Sequence, residues 1–302
     1  MKKVLAVLLI FCMTLSFVSC KSSLKDTSSD STKLAVSVTF NAMAEFVAAV
    51  GRDRVNISTI IPTGMEPHDF EPKAADIAAL SNSQVFIYNG LGMEVWAEEA
   101  IKAAENESLV IVVASDNSTP FHNTEEEEIE EHGQYDPHIW LSLKGAEIEV
   151  QNIADGLSSA DPDNREYYET NATSYIAQLE SLFNEYEEKF SSLENKKFVT
   201  GHAAFHYFCR DFGLEQNSVE DVFAEGEPST RQLAELVDYC RENNVSTIFA
   251  EEMASPEISQ ALANEVGAGI ETIHTIESSD DGMTYLDRMR ENCEKIYKSL
   301  SK

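Results

Sequence analysis

The chain has 302 residues, 43% of them hydrophobic and 9% aromatic, enough to bury a core and long enough for one large domain or two smaller ones. Its formal net charge of −31 repels nucleic acid and anionic lipid headgroups, which excludes a nucleic-acid partner, and it concentrates cations at the surface.

The N-terminus, MKKVLAVLLIFCMTLSFVSCKSS, sets two lysines before an apolar run from Val4 to Val18 and ends that run on Ser19-Cys20. The run is short for a membrane span and carries the flanks of a secretory signal, so residues 1–19 are expected to be cleaved. Loss of Lys2 and Lys3 leaves 20 basic against 53 acidic residues, a charge of −33. A cysteine after a small residue at this place resembles the bacterial lipobox, with Cys20 as the lipidated new N-terminus; Phe17 stands where Leu is commoner. Residues 20–33 are Ser/Thr-rich and lack apolar anchors, the composition of a flexible tether.

Turn-bounded, β-branched windows follow at 34–40, 56–61, 84–90 and 109–115, with helical patterns between them. This alternation predicts βα units around a parallel sheet in residues 34–164. Residues 165–195 contain a stretch of about 30 residues without Gly or Pro, its apolar side chains recurring at three and four from Tyr168 to Leu193. At ~1.5 Å per residue the spacing predicts a rigid linking helix roughly 45 Å long, with Asp161-Pro162-Asp163-Asn164 supplying the stop and cap signals ahead of it. From 196 to 302 the pattern resumes, with strand windows at 197–202, near 217–222, at 246–252 and at 271–277. Helices fall between them: one through Phe212, then 229–243, 255–266 and a last one to Ser301. The fold class is therefore α/β, two Rossmann-like lobes joined by a long helix. Cys209, Cys240 and Cys293 are an odd number without a CxxC pair, so they read as small buried hydrophobes and give neither a disulfide framework nor a thiolate metal site.

Seven histidines occur. His68 lies between two prolines in EPHDFEP, His138 follows a proline in YDPHIWL, and His202 ends the strand window FVTGH. All three fall near the carboxyl ends of strands, in both lobes, where α/β sheets place ligands. Neutral imidazole suits zinc and other borderline metals, an adjacent carboxylate can orient it, and a proline before it stiffens the approach. His206, four residues after His202, has Ala203 where a zinc protease would carry its Glu base, so it reads as a residue lining or supporting the cleft. His122 and His132 bracket an acidic run within 122–133.

The segments IPTGMEPHDFEPKAADIAAL, FIYNGLGMEVW, YDPHIWLS, KKFVTGHAAFHYFCRDFGL and EGEPSTRQLAELVDYCRENNVSTIFAEE resemble the successive signatures of the metal-binding lipoproteins that deliver zinc or manganese to ABC importers. The resemblance runs from about residue 34 to 302. It implies a periplasmic-binding-protein-like fold with the metal in the interlobe cleft, held by His68, His138 and His202. Manganese-preferring relatives often have Glu in place of His202, which argues here for Zn²⁺ over Mn²⁺. The fourth position departs from the common patterns: in IHTIES, Glu277 falls where one variant places its carboxylate and His274 where another does, and Glu277 is favoured. The acidic run resembles a shortened His- and acid-rich metal-collecting loop, although a solvated charge run reads the same way. The expected protein is no enzyme. It is an exported monomer anchored by lipid on the outer face of a bacterial cytoplasmic membrane, or periplasmic, and its partners are an ABC permease and ATPase. A manganese carrier or a surface adhesin is the alternative, and a zinc hydrolase the weakest reading.

Overall fold

The protein is described by a computed structural model over residues 33–123, 129, 133–224, 228–251, 256–278 and 282–302. The signal segment, the tether with Cys20, and most of the acidic run with His132 lie outside the described residues.

In the first lobe β1 (Leu34–Val38), β2 (Val55–Thr59), β3 (Val85–Tyr88) and β4 (Val110–Val113) pair in the order β2-β1-β3-β4, all parallel. Parallel neighbours cannot be joined by tight turns, and the crossovers are α1 (Asn41–Gly51), α2 (Ala74–Ser81) and α3 (Ala97–Ala104). Two longer helices follow, α4 (Leu143–Ala160) and α5 (Arg165–Ser191). The second lobe repeats the design with β5 (Lys197–Thr200), β6 (Glu215–Ser218), β7 (Thr247–Glu251) and β8 (Gly269–Ile273), again all parallel, in the order β6-β5-β7-β8. Its helices are α6 (His206–Phe212), α7 (Thr230–Glu242), α8 (Glu257–Val266) and the closing α9 (Tyr285–Leu300). In each sheet the winding reverses beside the first strand, and such a switch point opens a crevice at the strands' carboxyl ends.

Three features differ from the sequence reading. The edge strand β6 is the polar stretch EQNS, two residues ahead of the expected window; backbone pairing to β5 holds it, so side-chain alternation gives it little signature. The strand expected over 271–277 stops at Ile273, because the Asn292 side chain bonds both the N–H and the carbonyl of His274, and Ile276 beyond it takes φ +62°, a left-handed backbone incompatible with a strand. Helix α4 was not singled out, yet it buries Ala146, Val150, Ile153 and Leu157 at helical spacing.

Helix α5 is 27 residues long, ~40 Å at ~1.5 Å per residue. It packs along α4 and α1 on one side and meets α9 and α6 on the other. One apolar cluster runs from Leu34 through Tyr168, Leu179 and Phe190 to Leu300, and a smaller one around Val199, Leu236, Ile248 and Leu262 fills the outer part of the second lobe. Polar ties cross between the lobes as well. Asp211 Oδ2 accepts from Ser142 Oγ at 2.8 Å and from the Lys144 N–H at 3.2 Å, at the start of α4. Buried Arg288 pairs with Glu45 at 2.9 Å, and the Tyr285 hydroxyl donates to the Trp140 carbonyl at 2.7 Å. Cys209, Cys240 and Cys293 are free and buried.

The loop after β3 is tied to the segment that carries His138. Glu94 accepts from the Asn89 and Gly90 N–H groups, both at 3.0 Å, and from Thr39 Oγ1 at 2.7 Å, while Asn89 Nδ2 donates to the Pro137 carbonyl at 2.9 Å. Gly90 has φ +87°, and a Cβ there would lie 2.5 Å from Val113 Cγ1, so no other residue fits. Burial raises the Glu94 carboxyl to about 7 against those hydrogen bonds. Glu149 on α4 is fully buried and its carboxylate has no hydrogen-bond partner among the described residues; burial first and the Glu94 charge second push its pKa well above the carboxylate range.

A carboxyl whose folded pKa is raised keeps a proton that the unfolded chain has lost, so its contribution to stability falls as pH rises through the interval between the two values. On lowering pH from about 8 to about 5.5, the thermal midpoint of metal-free wild type should therefore gain relative to that of Glu149→Gln, since any histidine contribution is common to both. Equal gains in the two proteins would contradict this.

Candidate metal centre

Four side chains meet where the carboxyl edges of the two sheets face each other. His68 comes from the loop after β2, His138 from the segment between β4 and α4, His202 from two residues past β5, and Glu277 from four residues past β8. One donor atom from each lies within 4.8 Å of all the others. The His68, His138 and Glu277 side chains are at most 2% exposed, and that of His202 is 6% exposed.

The spacing carries the chemistry. Nε2 of His138 is 3.2 Å from Nε2 of His68 and 3.4 Å from Nε2 of His202. Donors ~2.0 to 2.1 Å from one metal at tetrahedral angles stand ~3.3 to 3.4 Å apart. Both separations are thus already zinc-like. Oε1 of Glu277 is 3.9 Å from Nε2 of His68 and 3.8 Å from Nε2 of His138, so the carboxylate side is slightly wider.

His138 and His202 each have a local reason to aim inward. Asp136, two residues before His138, accepts at Oδ1 from the His138 backbone N–H and from its Nδ1, both at 2.9 Å. With Nδ1 bearing the proton, Nε2 presents a lone pair to the centre. The other oxygen of Asp136 accepts from Nδ1 of His206 at 2.8 Å. Burial pushes the Asp136 carboxyl up, but the hydrogen bonds from His138 and His206 outweigh it and hold the group down at about 2, so the carboxylate stays charged. At His202 the Glu251 carboxylate plays the corresponding part, accepting from the backbone N–H at 3.1 Å and lying 3.7 Å from Nδ1. Gly201 makes room for it: a Cβ there would fall 1.9 Å from Glu251 Oε2. Burial, with the neighbouring His138 second, lowers the His202 pKa to about 3, so at neutral pH its ring is uncharged and able to donate to a metal. Thr275 Oγ1 donates to Glu277 Oε2 at 2.7 Å, leaving Oε1 as the oxygen facing the histidines.

All four residues favoured from sequence come together. His274 does not join them: its N–H donates to Asn292 Oδ1 at 2.9 Å, its carbonyl accepts from Asn292 Nδ2 at 2.8 Å, and its ring lies 3.5 Å from Glu291 on α9. His206 stands behind Asp136 with its side chain 39% exposed. His122 is exposed and forms an isolated bridge with Tyr135. Three supporting residues were not named from sequence: Asp136, Glu251 and Thr275. Asp136 was signalled by its place in Asp-Pro-His, where a carboxylate two residues ahead can bond back to the backbone; Glu251 and Thr275 carry no local signal.

The profile of the family described as ZnuA, zinc-uptake complex component A periplasmic, matches residues 36–299. The high-affinity zinc uptake system protein ZnuA of Bacillus subtilis is 37% identical over 281 residues, 89% of this chain and 88% of its own. Among solved structures, the Zn(II)-bound AdcAII variant of Streptococcus pneumoniae is similar with a TM-score of 0.82 at 31% identity, covering 89% of this chain and 99% of that one. The laminin-binding protein Lmb of Streptococcus agalactiae, described as bifunctional with adhesin and metal transporting activity, gives 0.81 at 33% identity, covering 89% and 99%.

Replacing an outer carboxylate that orients a ligating imidazole costs roughly 10- to 100-fold in metal affinity. Asp136→Asn is expected to weaken divalent-metal binding by that order, whereas His206→Ala, one step further out, should change it by less than about threefold. Competition titration against a chromophoric chelator measures both; equal losses in the two variants would refute the ordering.

Proposed function

Because this chain belongs to the family of periplasmic A components of zinc-uptake complexes, we infer that it captures one Zn²⁺ outside the cytoplasm and hands it to an ABC importer permease driven by its ATPase. The observation that carries the reading is the pair of nitrogen separations, 3.2 and 3.4 Å, in a buried set of three imidazoles and one carboxylate. Such a set replaces the hydration shell of Zn²⁺ with four protein donors.

Capture needs no bond-making beyond coordination. A shell closed by four protein ligands leaves no activated water, and as a transport component the protein is a carrier and not an enzyme. Asp136 and Glu251 keep the His138 and His202 rings oriented before the ion arrives, so little orientational freedom is lost on binding. Release follows contact with the permease, through small shifts of lobes and loops, since the shared core and α5 oppose a wide hinge. Lipidation at Cys20 would hold the carrier at the membrane face, as a monomer beside its permease. The likeness to the Streptococcus agalactiae protein supports adhesion as a second reading; binding of metal-loaded chain to immobilised laminin tests it.

The test is titration of metal-free protein with Zn²⁺ and Mn²⁺. One tight Zn²⁺ per chain is expected, with Mn²⁺ far weaker. Glu277→Ala should cost about one to three powers of ten in zinc affinity, roughly 1.4 to 4 kcal/mol, and His274→Ala much less. Tight Mn²⁺ that zinc cannot displace would overturn the metal assignment, and loss of binding in His274→Ala with Glu277→Ala intact would overturn the ligand assignment.

A further inference from the structure

Thr275 is wholly buried, and its carbonyl and its hydroxyl bond different partners. Its carbonyl accepts the Trp140 indole N–H at 2.7 Å, a contact that reaches across from the first lobe. Its hydroxyl donates to Oε2 of Glu277 at 2.7 Å, while Oε1 is the oxygen 3.8 and 3.9 Å from the two nearest imidazole nitrogens. A carboxylate can ligate through one oxygen or through both, and the choice sets the coordination number.

We propose that Thr275 determines metal specificity by engaging Oε2, which keeps Glu277 a one-oxygen ligand and holds the site at four donors. The inference rests on reading the cluster as a zinc site. Four donors satisfy Zn²⁺, whereas Mn²⁺ favours an octahedral, oxygen-rich shell and gains from a fifth donor. Bringing Oε2 inward sacrifices the buried hydrogen bond from Thr275, which no bulk water replaces. The Trp140 indole pins the Thr275 peptide group, so the backbone cannot shift to carry the hydroxyl after the carboxylate, and a β-branched side chain is stiff at χ1. It acts on the metal through Glu277 and is a positioning residue.

The experiment uses the full folded chain stripped of metal, with Co²⁺ as a spectroscopic probe and Zn²⁺ and Mn²⁺ for affinity. Wild type should give the intense visible bands of four-coordinate cobalt. Thr275→Val, which removes the donor and keeps the shape, should give the weaker bands of a higher coordination number. It should lose about 10- to 100-fold in zinc affinity without a matching loss for Mn²⁺, so that the zinc-over-manganese ratio narrows by about tenfold or more. Thr275→Ser, which restores the hydroxyl, should recover both the spectrum and the ratio. Equal losses for the two metals with an unchanged cobalt spectrum would reduce Thr275 to a structural residue and sink the proposal. A five- or six-coordinate spectrum in wild type would sink it without any variant having to fold. Failure of the underlying site reading looks different: His68→Ala would then bind cobalt as wild type does.

Discussion

Three imidazole nitrogens gathered out of water, with that of His138 3.2 and 3.4 Å from the other two, are at odds with themselves until a cation lies between them. Protonating two of the rings would place like charges in contact, and leaving them neutral points lone pairs at one another. The surroundings answer that constraint. A carboxylate behind His138 and another behind His202 hold the rings so that their donors converge, and Gly201 exists as glycine because the second carboxylate occupies the place of its side chain. The stability given up at this point is recovered in the core on either side of it.

The site is also the seam of the molecule. His138 is two residues from Trp140, whose indole grips the peptide of Thr275, whose hydroxyl holds Glu277. His138 of one lobe and Glu277 of the other are thereby linked by a short chain of buried contacts. Asn41 adds a backbone bond to the Glu277 carbonyl at 3.3 Å, and Gly64 donates to Ser278 at 2.8 Å. Ile276, held at φ +62° between Thr275 and Glu277, carries local strain that its neighbours must oppose.

The architecture was legible because it rests on periodicity: β-branched windows at regular spacing, a 27-residue helix without Gly or Pro, and histidines near strand ends. Ser229 with Gln232 forms a capping box that starts α7 close to where pattern alone put it, and Thr284 with Asp287 forms another at the start of α9. What pattern could not resolve were features set by tertiary contact. The polar strand β6 exists only by pairing, and the end of β8 is fixed by a backbone turn that a β-branched run conceals. Glu277 and His274 stand three residues apart in one loop, and only tertiary contact separates them: Asn292 bonds both backbone groups of His274, whose ring lies toward α9, while Glu277 joins the three histidines. Glu251 is 49 positions from the histidine it supports, a distance at which one sequence carries no sign of partnership.

The three buried cysteines bear on a different hazard. Burial pushes the Cys209 and Cys293 thiols far above their ordinary range and Cys240 to about 11. The thiolate is the form that attacks disulfides, reacts with oxidants and binds soft metals. Thiols kept protonated inside the folded chain are therefore shielded from exchange in an oxidising exterior, and they offer a captured ion no competing sulfur to migrate to.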